Sequence, residues 1–160
     1  MEAEMNMRAA AFTGHRDVEK SEYEHLTTAI FLTVDRLYRE GVKTYYVGGA
    51  LGFDTIAAVS VLNLKIKYPD LRLIVAVPCP DQSAAWHASD RALYDSILRR
   101  ADEVVTVSPY YCRGCMQMRN RYMVDRADTL IAYVKRDSGG SAYTRNYALK
   151  KGLTVIDLTE

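Results

Sequence analysis

Three short segments of the sequence combine glycine with side chains that could bind an anion or a sugar. The first, Thr13-Gly14-His15-Arg16, places two donor side chains after a glycine, which allows close backbone approach. The second, Gly48-Gly49-Ala50-Leu51-Gly52-Phe53-Asp54, and the third, Gly139-Gly140-Ser141, each open into a predicted helix. The free amides of a helix N-terminus form a natural anion site. Two such turns in one short chain indicate a phosphate-binding pocket rather than plain turns.

The remaining candidate ligand contacts are Asp54, Gln82, Trp86, Arg119 and Asn120. Asp54 has two open interpretations: it caps the helix that it begins, or its carboxylate accepts hydrogen bonds from sugar hydroxyls. The Trp86 indole suits stacking on a base, but a single tryptophan is also common in packing. Arg119 and Arg121 point in different directions on a helix, so we expect only Arg119 to reach the ligand. The alternative for Arg119 is a surface pair with a carboxylate.

Other common chemistries fit the sequence less well. The glycine patterns match neither the Rossmann Gly-x-Gly-x-x-Gly nor a Walker loop, which requires Gly-Lys-Ser or Gly-Lys-Thr. Cys79, Cys112 and Cys115 are an odd number of cysteines without disulfide-framework spacing. To hold zinc, Cys112 and Cys115 would need ligands from among Cys79, His15, His25 and His87. We predict reduced thiols in a loop and no bound metal.

Short apolar strands alternate with helical patterns along the chain. Strands are predicted at 8–13, 44–47, 71–77, 103–107, 129–134 and 154–157. Helices are predicted at 19–40, 53–68, 82–100, 115–126 and from the 138–141 turn to 151, with a break near 88–90 as the alternative for the third. Near-continuous apolar strands between helices are typical of a parallel sheet covered on both faces. We therefore predict an α/β fold with a Rossmann-like, doubly wound, mainly parallel sheet that binds ligands beyond the carboxyl ends of its strands.

The composition predicts one soluble, cytoplasmic domain. The chain of 160 residues suffices for one core, and we assign residues 1–7 to an N-terminal tail and 8–160 to a single domain. The polar, acidic start is unlike a signal peptide, and no apolar run reaches membrane-spanning length. A net charge of +1 gives no electrostatic footprint for duplex DNA, so we expect neither a membrane nor a nucleic-acid partner. A homo-oligomer remains open.

Taken in order along nearly the whole chain, these segments resemble the SLOG superfamily, which includes the DNA-processing protein DprA and the LOG cytokinin-activating hydrolases. The strongest resemblance is to its YpsA-like branch. The matching residues are the three glycine segments, Pro78 with Gln82 and Trp86, and the run from Met116 to Asp125. The resemblance implies a Rossmann-like fold, a nucleotide-derived ligand and a role in bacterial regulation or stress. LOG hydrolases have a catalytic glutamate where this chain has Asn146, and a neutral amide cannot act as a general acid or base.

Three functions are weighed from these observations. The first, which we favour, is a sensor or regulator that binds a nucleotide of the ADP-ribose or NAD type, with Arg119 on a phosphate and Trp86 on the base. The second is a hydrolase that cleaves an N-glycosidic or phosphate bond and uses Asp54 or Asp125 as its carboxylate. The third is a DprA-like nucleic-acid binder, which predicts salt-sensitive binding of single strands. No cofactor is certain.

Overall fold

Strands and helices alternate throughout the part of the chain that the computed structural model describes, residues 8–159. The predicted tail, residues 1–7, and Glu160 lie outside the described residues. The elements are β1 (Arg8–Gly14), α1 (Lys20–Arg39), β2 (Val42–Val47), α2 (Phe53–Leu64), β3 (Arg72–Val77), α3 (Ala88–Arg100), β4 (Glu103–Thr106), α4 (Cys115–Asp125), β5 (Thr129–Tyr133), α5 (Gly140–Lys150) and β6 (Thr154–Asp157). No helix among these residues is long and apolar enough to cross a bilayer.

The six strands form one sheet in which every neighbouring pair is parallel. The strand order is β4-β3-β2-β1-β5-β6. Strands β2, β3 and β4 are added in turn on one side of β1, and β5 and β6 are added on the other side of β1. The order therefore reverses between β1 and β5. In doubly wound sheets this reversal opens a crevice at the carboxyl ends of the two central strands. The predicted α/β, doubly wound fold is confirmed.

The helices cover both faces of the sheet. Alternate side chains of each strand point to opposite faces and pack against different helices. Phe12 of β1 belongs to a core that includes Leu26 and Ile30 of α1 and residues of α2 and α3. Ala11, the preceding residue, belongs to a smaller core with Met123 of α4 and residues of α5. Successive side chains of a strand point to opposite faces. One face is therefore packed by α1, α2 and α3, and the other by α4 and α5.

The segment before α3 differs from the prediction. We predicted a helix from Gln82, but α3 begins at Ala88. Between them, the amides of Gln82, Ala84 and Trp86 each donate to the carbonyl three residues earlier, which makes successive turns instead of α-helix. Pro80 contributes no amide to a helical ladder, and the Gln82 side chain is held by the carbonyl of Gly48 and the hydroxyl of Tyr94. These tertiary contacts override the helical pattern of the sequence.

Candidate functional site

A cleft of about 720 Å³ lies where β1 and β5 end. This volume is within the range of small-molecule sites. Eleven of the fourteen predicted ligand contacts line it, namely Gly14, His15, Arg16, Asp54, Gln82, Trp86, Arg119, Asn120, Gly139, Gly140 and Ser141. The exceptions are Gly48, Gly49 and Gly52. Ala50 and Asp54 line the cleft together with the Gly139–Ser141 turn, so both glycine-rich segments meet at one site.

The three exceptions lie against neighbouring protein atoms. A Cβ on Gly48 would lie 2.6 Å from Nη1 of Arg119, and a Cβ on Gly52 would overlap the backbone of Arg16. Gly49 and Gly52 also have φ values of +72° and +79°, which favour glycine. The first amide of α2, that of Phe53, donates to the carbonyl of His15 at 3.0 Å and is therefore not free to bind an anion. These contacts give the glycines a packing role, and their ligand-binding assignment stays a prediction.

Asp54 lies on α2 and faces the cleft. The N-cap of α2 is Gly52, and it makes no side-chain cap bond. Asp54 as a residue is 8% exposed, and its Oδ2 accepts a hydrogen bond from the amide of Ala50 at 3.1 Å. Burial raises the pKa of Asp54 to about 6, although Arg119, the Ala50 amide and Arg16 each favour the ionised form. The carboxyl is thus poised to titrate near neutral pH in a ligand-sized cleft.

Arg119 on α4 is buried and bonds backbone carbonyls of two segments, the end of β3 and the residue that follows β2. Its Nη1 donates to the carbonyls of Gly48 at 2.5 Å and Ala76 at 3.3 Å, and its Nε donates to Oδ1 of Asn120 at 2.8 Å. Within residues 8–159, no carboxylate oxygen lies within 4.0 Å of the guanidinium, so the alternative of a surface pair is wrong. Among the described residues, the only hydrogen-bond partner of the second terminal nitrogen, Nη2, is the Met116 sulfur at 3.7 Å. Sulfur is a weak acceptor, so Nη2 retains donor capacity, and Arg119 is one of the residues that line the cleft.

Gln82 and Trp86 belong both to the cleft wall and to the packing behind it. Nε2 of Gln82 donates to the hydroxyl of Tyr94 at 3.1 Å, and Oε1 accepts from Nη1 of Arg119 at 3.5 Å. The half-buried Trp86 ring stands edge-on to Tyr94, with centroids 5.1 Å apart and an interplanar angle of 73°. Tyr94 therefore packs against the indole while the Trp86 side chain lines the cleft.

His15 links the end of β1 to the loop between β5 and α5. Its Nε2 accepts the backbone amide of Lys135 at 2.7 Å, and its Nδ1 lies 3.1 Å from Oγ of Ser141. Burial, followed by the charge of Arg136, lowers the pKa of His15 below its usual value, and the charge of Asp17 opposes that shift. The ring therefore holds the first turn of α5 at the cleft.

Arg136 is a cleft residue that the sequence analysis missed. It follows β5 by three residues, lines the cleft, and pairs with Asp17, with nitrogen–oxygen distances of 3.0 and 3.1 Å. Both residues are exposed at the cleft mouth. The signal was available, because residues just beyond a central strand of a doubly wound sheet are the expected ligand contacts.

The cysteines lie outside the cleft lining. Cys79 and Cys115 are buried, and the half-buried Cys112 has its sulfur 3.7 Å from Oγ of Ser108. In the described chain, no cluster of three His, Cys, Asp or Glu residues has the arrangement of a metal site. Whether the protein binds a metal stays a prediction for elemental analysis.

The fold and the cleft define a Rossmann-like α/β protein with a ligand-sized cleft at the point where the strand order reverses. More specifically, the chain belongs to the YspA SLOG family, whose sequence model matches residues 11–155. A relative from Bacillus thuringiensis (strain Al Hakam), named only as a UPF0398 protein, is 28% identical over 156 residues, which cover 91% of this chain and 85% of the relative. A second UPF0398 protein, from Bacillus cereus (strain AH187), matches to the same extent.

Two solved structures share the fold. DprA from Streptococcus pneumoniae superposes with a TM-score of 0.70 at 18% identity over 96% of this chain, which spans about half (51%) of the length of that DprA. DprA from Helicobacter pylori, described for its single-stranded DNA binding mode, gives a TM-score of 0.67 at 19% identity and covers 98% of this chain and 67% of its own. At these identities the likeness establishes the fold alone.

Proposed function

We propose that the cleft binds a nucleotide-derived ligand with a phosphate and a ribose, and that the protein acts as a sensor or regulator through that binding. The observation that carries the proposal is the division of the cleft into a donor-rich end and a single buried carboxylate. Gly140, Ser141, His15 and Arg136 supply hydrogen-bond donors at or near the start of α5, and Asp54, on α2, is the buried carboxylate of the same cleft. Membership of a SLOG family supports a nucleotide-related ligand.

The phosphate belongs at the start of α5. Gly139 is the N-cap with a φ of +97°, and no side chain caps the helix. The amides of Gly140, Ser141 and Ala142 therefore have no intrahelical acceptor, and the helix dipole favours an anion there. Arg136 adds a positive charge at the rim. This site is at the Gly139–Ser141 turn, one of the two glycine turns for which the sequence predicts phosphate binding.

The ribose belongs near Asp54. An ionised carboxylate accepts hydrogen bonds from vicinal hydroxyls, and no residue in 8–159 donates to Oδ1 of Asp54 within hydrogen-bond distance. Asn120 also lines the cleft, and because its Oδ1 is used by Arg119, its amide hydrogens are available to a ligand oxygen. The half-buried Trp86 supplies an aromatic surface for the base.

The alternative is a hydrolase, and the pKa of Asp54 favours it. A carboxyl with a pKa of about 6 in a cleft is suited to general acid or base catalysis at neutral pH. Asp125, the other candidate carboxylate, is exposed, is not among the cleft residues, and accepts the hydroxyl of Tyr147 at 2.8 Å. The structure therefore favours Asp54 over Asp125 for that chemistry. Release of free base or phosphate from a nucleoside monophosphate would select the hydrolase.

A thermal-shift panel tests the proposal. The panel contains AMP, ADP-ribose, NAD, ribose 5-phosphate and an oligothymidylate. A ligand at 100 times its Kd stabilises the protein by about 2.7 kcal/mol, which raises the Tm of a domain of this size by about 5–10 °C. We expect a shift with at least one nucleotide, a smaller shift for Arg136→Ala, and an unchanged one for Arg121→Ala, whose side chain bonds Tyr143 outside the cleft lining.

The panel also distinguishes the rival partners. A shift with the oligothymidylate alone that disappears at high salt would replace the proposal with a nucleic-acid binder. Equal loss of nucleotide response in Arg136→Ala and Arg121→Ala would move the ligand away from the cleft.

A further inference from the structure

We propose that His15 positions the hydroxyl of Ser141 as an obligate hydrogen-bond donor to the phosphate of the ligand. The proposal rests on the proposed function for the phosphate, but its first step concerns the protein alone. Two contacts of the His15 ring carry it: the Lys135 amide at Nε2 and the Ser141 hydroxyl at Nδ1.

The backbone contact fixes the proton on the imidazole. The amide of Lys135 can only donate, so the lone pair of Nε2 must face it at 2.7 Å. An imidazolium would place an N–H of Nε2 against the N–H of Lys135. The ring is therefore neutral, and its one proton is on Nδ1. The lowering of the His15 pKa by burial agrees with this state.

The fixed proton decides what Ser141 can do. Nδ1–H donates to Oγ of Ser141 at 3.1 Å, so the serine oxygen uses a lone pair for His15 and keeps its own hydrogen for another acceptor. Ser141 lines the cleft, where the amides of α5 and Nη2 of the buried Arg119 also present donors. Together these donors recognise an acceptor such as a phosphate oxygen. It also means that His15 cannot be a general base for Ser141, because a protonated Nδ1 has no lone pair to accept the serine proton.

Histidine NMR tests the first step. In ¹⁵N-labelled protein at pH 7.5, with the three histidines resolved by single substitutions, we expect His15 to be neutral with its proton on Nδ1. The opposite tautomer, or an imidazolium, would overturn the proposal whether or not any ligand binds.

Two substitutions at His15 separate positioning from a merely structural role. The amide nitrogen of His15→Asn can stand near Nδ1 and donate to Ser141, whereas the amide of His15→Gln reaches the position of Nε2 and can only replace the Lys135 contact. With inorganic phosphate as the probe, we expect His15→Asn to retain most of the affinity, and His15→Gln and Ser141→Ala each to lose about tenfold or more.

Retention of affinity by His15→Gln with loss by His15→Asn would show that His15 only holds the loop, and full affinity in Ser141→Ala would show that the serine does not contact the phosphate. If wild-type protein has the Nδ1–H tautomer but binds no phosphate, the proposed function fails while the internal assignment stands.

Discussion

Replacing Asp54 with asparagine is expected to stabilise the free protein while weakening its ligand binding. The carboxyl is buried, and burial raises its pKa from 3.8 to about 6. Each pKa unit corresponds to about 1.4 kcal/mol, so ionising Asp54 in the folded protein opposes folding by up to about 3 kcal/mol. Asn keeps an oxygen for the Ala50 amide and removes the charge. We therefore expect Asp54→Asn to gain about 1–3 kcal/mol at pH 8.

The pH dependence of this gain identifies its cause. The folded pKa lies above the unfolded one, so the protonated carboxyl contributes its stability in full below about pH 4 and loses it as the pH rises through about 6. The difference in unfolding free energy between Asp54→Asn and wild type should be largest at pH 8 and fall to about one third by pH 4.5. Taking the difference between the two unfolding free energies removes the contributions of all other titrating groups, which the two proteins share.

Urea unfolding at several pH values provides the measurement. Asp17→Asn is the matched control, because the bond from Arg136 lowers the pKa of Asp17 and its removal should slightly destabilise the protein at pH 8. At pH 8, Asp54→Asn should also bind the best nucleotide of the panel about tenfold more weakly. Lower stability of Asp54→Asn at pH 8, or a gain that does not vary with pH, would refute the reasoning about the buried charge.

Three further predictions concern the packing of Arg119 against Gly48 beside the cleft and the state of the cysteine thiols. Arg119→Met should lower the free energy of unfolding by about 3 kcal/mol or more in urea, because the buried carbonyls of Gly48 and Ala76 lose a charged donor. Arg121→Met should lower it by about 1 kcal/mol or less, and equal losses would contradict this assignment. Gly48→Ala should lower the free energy of unfolding by about 1–3 kcal/mol, because its Cβ would lie 2.6 Å from Nη1 of Arg119. The double variant with Arg119→Met should lose less than the sum of the two single losses. Strictly additive losses would show that the new Cβ and the Arg119 guanidinium do not compete for the same space. Protein purified without added metal should contain no stoichiometric zinc by elemental analysis, and one zinc per chain would reinstate the Cys112 and Cys115 pair as ligands.

The sequence predicted the fold and the location of the cleft, because periodicity and strand-end position depend on local pattern. The alternation of Ala11 and Phe12 between two cores follows directly from the two-residue repeat of a strand. Contacts between distant segments could not be predicted in this way. The local sequence around Gly48 predicts a phosphate-binding turn. In the structure, the side chain of Arg119, 71 residues away, occupies the space beside Gly48. Likewise, nothing local to His15 indicates the Lys135 amide that fixes its proton.

The central claim, that the start of α5 holds a phosphate, is tested most directly by mapping amide shifts on addition of AMP. In ¹⁵N-labelled protein at pH 7.5, the amides of Gly140, Ser141 and Ala142 should show the largest saturable changes, with smaller changes at Asp54. The same titration with adenosine should leave the three α5 amides nearly unchanged, because adenosine lacks the phosphate. Saturable shifts confined to residues outside the cleft, or equal α5 shifts with adenosine and AMP, would contradict the account.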